Sequence, residues 1–384
     1  TIGKNAIQVT QAGAEAGVSI ETDAAPYIDA ATSRTYIPVG LVADALGYRV
    51  AWDGETSTVI IDDVDAILTE NTETYERMDQ YLDYARKYSQ GNYQVDGSYL
   101  LTMPSVCEGT YIETDGTSYP VTAEIVNTVG GNYNMVTNQN AFQFDTTISL
   151  GGTLEGQPIS PIDMDLDMRA DLDTGMLYLY FQSEDLEQLM NNNVQVNGES
   201  VEFQIPDQWY SLDMKAVYDE AYGPGFYEEL IALSAASQEA AFAQTLEELL
   251  KSDTLILTST ATTSDYLEAL NQLLGDSHFQ KSGSTYTSTL EQDGVTILFH
   301  LYTSGGQVNG YGMEMTASET TGMEMTMTME MKWDDMSLLL EMAGMTMEMD
   351  GTYRPSSTAP ETEPPAGATV VDLWELLTTP VSEL

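Results

Sequence analysis

The chain has 384 residues, of which 42% are hydrophobic, and it sets 61 acidic residues against 12 basic ones for a formal net charge of −49. So negative a chain is repelled by nucleic acid and by anionic membrane surfaces, so neither is an expected partner. The acids are spread along the chain, which reads as a charged, solvated surface suited to the cell exterior, and no apolar run reaches the ~18 residues a membrane span needs.

The first 63 residues read as a small unit. No secretory leader is read at Thr1, which is expected of a mature or trimmed product. Ala6-Ile7-Gln8-Val9 and Val18-Ser19-Ile20 form short strands, and Ala25-Pro26-Tyr27-Ile28 and Thr35-Tyr36-Ile37-Pro38-Val39 flank a polar turn. A helix is expected from Val39 to Leu46, with Leu41, Val42, Ala45 and Leu46 inward and Gly47 as its stop. Arg49 to Gly54 and Thr58 to Ile61 then make a strand, a turn and a strand.

These residues in this order resemble the copper amine oxidase N-terminal-like domain. The resemblance is carried by Pro26-Tyr27-Ile28, Arg34-Thr35-Tyr36-Ile37-Pro38, Val42-Ala43-Asp44-Ala45-Leu46-Gly47, Val50-Ala51-Trp52-Asp53 and Thr58-Val59-Ile60-Ile61. Thr32-Ser33 and Gly40 depart from the usual pattern. The resemblance implies an accessory module of secreted and cell-surface proteins of Gram-positive anaerobes, without a copper centre. Residues 1–63 contain no histidine to ligate one.

Val64 to about Ser89 reads as one helix, with Val64, Ile67, Leu68, Tyr75, Met78, Leu82 and Ala85 at three- and four-residue steps. Strands follow: Tyr99–Met103, Val121–Val129, Tyr133–Thr137, Phe142–Leu150, Ile162–Leu172, Met176–Gln182, and a short one around Trp209-Tyr210. Cys107 is the only cysteine; it excludes a disulfide framework and a cysteine metal site and reads as a buried, inert thiol. Asp163, Asp165 and Asp167 alternate with Met164, Leu166 and Met168. Met168 stands where an EF-hand loop needs glycine, so strand alternation explains the run, with weak calcium collection as the alternative. Tyr178, Tyr180, Trp209 and Tyr210 read as half-buried sheet positions, with a sugar-stacking platform as the alternative.

Helices return from Phe226 to Leu250 and from Ser264, an N-cap, to Leu274, before Gly275. Strands resume at Tyr286–Leu290 and Val295–Tyr302. Twelve of the twenty methionines then fall between Met313 and Met349, alternating through Met323-Glu-Met325-Thr-Met327-Thr-Met329-Glu-Met331. Period two is the period of a strand, so one face is thioether and the other Thr and Glu. Two-residue turns at Asp334-Asp335 and Ala343-Gly344 would set Met331 opposite Leu338 and Met349, Met329 opposite Leu340 and Met347, and Met327 opposite Met342 and Met345. Met313 and Met315 join from a fourth strand. This face, Met313, Met315, Met325, Met327, Met329, Met331, Leu338, Leu340, Met342, Met345, Met347 and Met349, is the candidate ligand surface, against the plainer reading of a packed core. Copper(I) favours thioethers, but no His or Cys lies in the ladder to complete a site. Arg354 to Ala366 is an irregular connection, and Val370 to Leu377 is an apolar tail that must dock on this chain or a neighbour.

The fold class is therefore α+β: an N-terminal α/β accessory module (1–63), a large curved, half-barrel-like antiparallel sheet backed by helices (64–353), and a linker with its tail (354–384). The outline is similar in architecture to the lipoprotein-carrier fold, from which no residues carry over. His278 and His300 are the only histidines. No nucleophile elbow, phosphate loop or His-Glu-x-x-His motif is present, so no catalytic residue and no cofactor is assigned. The expectation is a non-enzymatic, extracellular or cell-surface binding or scaffolding protein whose partner is an apolar small molecule or a protein. The alternatives are a carrier of a lipid-like ligand on the methionine face and a subunit that assembles through its C-terminal tail.

Overall fold

Long runs of two-residue alternation make long strands, and here they run further than turn residues alone suggest. The computed structural model describes residues 6–9, 18–21, 25–29, 31–32, 34–112, 114, 117–193, 195–196, 199–200, 202–236, 240–252, 255–292, 294–318 and 324–378. In chain order the first elements are β1 (Ala6–Val9), β2 (Val18–Glu21), β3 (Tyr27–Asp29), β4 (Arg34–Tyr36), α1 (Val39–Leu46), β5 (Arg49–Asp53), β6 (Thr58–Asp62) and α2 (Val64–Glu70). Then come α3 (Glu76–Arg86), β7 (Asn92–Ile112), β8 (Ser118–Thr137), β9 (Ala141–Leu154), β10 (Gln157–Asp171), β11 (Met176–Gln182), α4 (Glu184–Asn193), β12 (Gln195–Val196), β13 (Glu199–Ser200) and β14 (Trp209–Asp213). Four helices follow: α5 (Met214–Tyr222), α6 (Phe226–Ala236), α7 (Phe242–Lys251) and α8 (Thr263–Leu274). The last elements are β15 (Gln280–Ser282), β16 (Thr285–Gln292), β17 (Val295–Ser304), β18 (Gln307–Ser318), β19 (Glu324–Lys332), β20 (Asp335–Met342), β21 (Met345–Ser356), β22 (Val370–Asp372) and α9 (Leu373–Thr378).

The chain divides into two compact units, one of residues 1–75 with 240–277, the other of 76–239 with 278–384. The first unit holds β1 to β6 as three two-stranded pairs, with α1, α2, α7 and α8. Its buried apolar side chains include Ala43, Ile60, Val64, Leu246, Leu250, Leu257 and Leu267. The Arg49 guanidinium is buried and donates to the Leu250 carbonyl at 3.2 Å and to that of Leu255. Asp53, also buried, accepts from the amides of Glu55, Thr56 and Ser259 at 3.0, 3.2 and 3.0 Å. The core and the satisfied polar groups of this unit are thus drawn from two distant stretches of chain.

Three details of this unit differ from the sequence reading. In α1 Ala43 is buried, while Val42 and Leu46, expected inward, are exposed; the side chain of Leu41 lies outside the described residues. Gly47, at φ +75°, ends the helix as expected, and the Tyr48 amide reaches back to the Ala43 carbonyl at 2.8 Å. The helix expected over 64–89 is two helices, because Asn71 stops the first: its side chain takes the Glu73 amide at 3.2 Å and gives to the Tyr75 hydroxyl at 3.0 Å. The cap of α8 is Thr262 rather than Ser264, in a reciprocal capping box with Asp265.

The second unit is built on one open sheet of fourteen strands, in the order β15-β16-β17-β18-β19-β20-β21-β7-β8-β9-β10-β11-β14-β22. The pairs are antiparallel except for β14 with β22, which is parallel. It does not close into a barrel. The separate strands expected at 99–103, 121–129 and 133–137 are parts of β7 and β8, whose ladder runs from Tyr93↔Thr137 to Ile112↔Ser118. Gly130 and Gly131, between the expected strands, are themselves strand positions crowded by the Tyr99 and Thr147 carbonyl oxygens. Within this unit α3 packs on β18, α4 on β10, α5 on β11 and α9 on β14.

Candidate functional site

The methionine face is an ordered sheet surface. Tracing partners strand by strand gives an unbroken apolar row: Leu290, Ile297, Met315, Met327, Leu340, Met347, Leu101, Val129, Leu150 and Ile162. At ~4.8 Å between strands, that row is roughly 43 Å long. Beside it runs a second row of Phe299, Met313, Met329, Leu338, Met349 and Tyr99. Met325 and Met342 pair in a third, and Met342 also opposes Met345. All twelve candidate residues therefore share one face, as read. Met323 lies outside the described residues.

The register of one turn is corrected. The turn between β19 and β20 is Trp333-Asp334, one residue earlier than Asp334-Asp335, so Met331 opposes Met336, Met329 opposes Leu338, and Met327 opposes Leu340. Moving a two-residue turn by one position moves every partner by two, which leaves each side chain on its original face. The Ala343-Gly344 turn and the β20–β21 register stand where expected.

Exposure separates the candidates. Met331 is buried at 6%, and the other eleven are half-buried. The reverse face of β20 is exposed at Ser337, Leu339 and Glu341. The helix α3 accounts for Met331: it lays an aromatic line over the end of this face. The Tyr81 ring meets Tyr311 edge-on at 5.1 Å and Phe299 at 6.0 Å. Tyr88 meets Tyr93 at 5.3 Å and Tyr353 at 5.1 Å. The Tyr84 hydroxyl donates to the Trp333 carbonyl at 2.8 Å. Burial pushes the Tyr81 phenol up to about 12, with Tyr311 and Tyr84 adding to it. Burial likewise raises Tyr84 to about 12. These are signs of a poorly solvated margin. Tyr81, Tyr84 and Tyr88 recur at helical spacing, a signal that the sequence reading did not use.

At the same margin two strands come close. A side-chain carbon on Gly97 would stand 2.0 Å from the Asp350 carbonyl oxygen, and one on Gly351 would crowd the Tyr133 hydroxyl. That hydroxyl donates to the Asp350 carbonyl at 2.8 Å, so the tyrosine occupies the space the two glycines leave.

The polar face places the acids. Asp163, Asp165 and Asp167 point the same way along β10 but are not drawn together. The Asp165 carboxylate accepts from Thr147 at 2.7 Å, and Asp167 pairs with Arg169 at 3.1 Å. Among the described residues no group of three or more His, Cys, Asp or Glu side chains is arranged to hold a metal ion. Asp145 and Asp167 line an open groove of about 550 Å³ with Asn132, Asn134, Asp165 and Tyr180. Burial first, then the Asp167 charge, raises the Asp145 carboxyl above its ordinary value. Trp209 and Tyr210 are buried, and the Arg169 guanidinium sits 4.8 Å over the Trp209 ring, so they serve the sheet rather than an open sugar platform. His300 is held by Thr287 at 2.9 Å and Glu314 at 3.3 Å. Cys107, expected to be buried, is exposed, because β7 and β8 extend past the packed part of the sheet.

Residues 357–369 cross this polar face. The Glu361 amide donates to Gln143 at 3.3 Å, and Arg169 reaches the Glu361 carboxylate at 2.5 Å and the Glu363 carbonyl at 2.7 Å. The tail after them pairs with its own sheet, with Trp209↔Val370 and Ser211↔Asp372.

Residues 15–80 match the Copper amine oxidase N-terminal domain family. That is about a sixth of the chain; it begins within the 1–63 module, covers every motif that carries the resemblance, and continues through α2 into α3. The match concerns the accessory domain and brings no catalytic domain with it; the matched residues contain no histidine. No curated protein matches the chain. No helix among the described residues is long and apolar enough to cross a membrane.

Proposed function

We propose that this is a non-enzymatic binding protein of the cell exterior, and that the methionine face takes an apolar, lipid-like ligand. One observation carries the reading: ten strands in succession present an aliphatic or thioether side chain in a single row, and none of the ten is fully buried. A row of flexible, polarisable side chains adapts to ligands of varied outline. The N-terminal module and the net charge of −49 support an extracellular setting. The competing reading, assembly through the tail, has less support, because β22 is already paired within its own chain.

The test is to load delipidated full-length protein with a fluorescent fatty acid and to analyse extracts of the purified protein by mass spectrometry. Saturable binding by the native protein, lost when Met327→Glu and Leu340→Glu are combined in a variant that keeps its circular dichroism spectrum, is the expected result. Equal binding by both, or none by either, overturns the reading.

A further inference from the structure

We propose that the pocket beside the first turn of α3 binds a small oxyanion, a carboxylate or a phosphate. The pocket, about 320 Å³, is the size of a small metabolite and is lined by Arg77, Gln80, Lys281, Tyr286, Leu301 and Val308. Leu301, fully buried, and Val308, nearly so, close it from below, and its accessible wall is mainly polar. Gly283, Gly305 and Gly306 at its mouth have open space where a side chain would stand.

Charge makes the case. The chain carries 12 basic residues against 61 acidic ones, yet two of the 12 converge on a single ring. The Arg77 guanidinium lies 4.6 Å from the Tyr286 ring centre and the Lys281 ammonium 5.0 Å from it. The two cations are therefore no more than about 10 Å apart, within the reach of mutual repulsion at ordinary ionic strength. Among the lining residues Arg77 and Lys281 stand beside one carboxylate, Glu76. The Lys281 hydrogen bond, then the Lys281 and Arg77 charges, draw the Tyr286 phenol below its ordinary value, as a locally positive potential would. An oxyanion between Arg77 and Lys281 offsets their repulsion and takes charge-assisted hydrogen bonds from both, with Gln80, Ser284 and Thr303 as neutral partners at the wall. This site is independent of the apolar-ligand reading, since no residue of the long apolar row lines it.

The experiment titrates the full-length protein with inorganic phosphate and, separately, with benzoate. Binding is followed by calorimetry and by the ring resonances of labelled tyrosine, with Tyr286→Phe identifying its signal. One saturable site for at least one probe is expected, with the Tyr286 signal moving and the affinity falling at least about tenfold in Lys281→Met and in Arg77→Met. Lys281 is exposed, so its variant keeps the test valid if the Arg77 variant fails to fold. Saturation by phosphate alone assigns a phosphate ligand, and saturation by benzoate alone a carboxylate. No saturable binding of either probe, or binding unchanged in Lys281→Met, overturns the proposal. The paired Met327→Glu and Leu340→Glu variant is expected to bind these anions as the native protein does.

Discussion

Arg169 sits on the polar face of β10 with 8% of its side chain exposed, between Asp167, Glu361, the Glu363 carbonyl and the Trp209 ring. Its acidic partners are wetter, so removing the cation leaves them to water, and the loss is of hydrogen bonds and stacking rather than of a trapped charge pair. Arg169→Met is expected to lower stability by about 1–3 kcal/mol in urea unfolding. Asp145 behaves oppositely. Burial and Asp167 raise its pKa in the folded state, so the folded protein is relatively favoured when the residue is protonated. Above the raised value the ionised carboxylate weakens the fold; below the unfolded value near 3.8 it is protonated in both states and the effect is gone. Asp145→Asn should therefore raise the melting temperature at pH 7 and have no effect below pH 3.8. Asp53 has the reverse sign: the Thr56 hydroxyl first, then Ser259, hold it well below its usual range. Its contribution is present at neutral pH and fades as pH falls below 3.8.

At the scale of elements, the hairpin turns show how sequence and backbone disagree locally. Trp333 and Ala343 both stand in left-handed backbone, at φ +59° and +52°, and Gly344 follows Ala343 at +81°. An alanine there costs roughly 1–2 kcal/mol relative to glycine, and asparagine less. Ala343→Asn creates the Asn-Gly pair this turn geometry prefers, and a gain of about 0.5–1 kcal/mol is expected in chemical unfolding. The turn rules favoured Asp334-Asp335 because two acids look more turn-like than a tryptophan. The turn instead takes Trp333-Asp334; either register puts the same side chains on one face, so only the exact partners differ. The tail element gives a further prediction. β22 covers the edge of β14, so a chain ending at Ser356 exposes that edge as well as freeing Arg169 from Glu361. It is expected to melt lower and to self-associate in light scattering; an unchanged monomer would show that the edge needs no cover.

At the scale of the molecule, the recognisable family segment is smaller than the unit it folds into. Residues 15–80 match the family, but Leu246, Leu250, Leu257 and Leu267, the carbonyls that accept from Arg49 and the Ser259 amide that donates to Asp53 come from the separate stretch 240–277. A fragment of residues 15–80 is expected to lack a cooperative unfolding transition, because burial of Val64 and Ile60 and the partners of Arg49 are absent. Recovery of a sharp transition on linking it to 240–277 would support this, and a well-folded isolated fragment would refute it.

By itself the sequence determined what depends on short spacing. Period-two methionines placed twelve side chains on one face, ordered motifs identified the N-terminal module, and Gly47 and Gly275 marked helix ends. It could not supply what depends on separation. The joining of 240–277 to the module, the merging of short strands into β7 and β8, the strap held by Arg169, and the meeting of Arg77 with Lys281 on one tyrosine involve residues up to about two hundred positions apart. Propensity and periodicity act over a few residues, whereas these arrangements follow from which surfaces the closed chain buries together, and only the tertiary structure decides that.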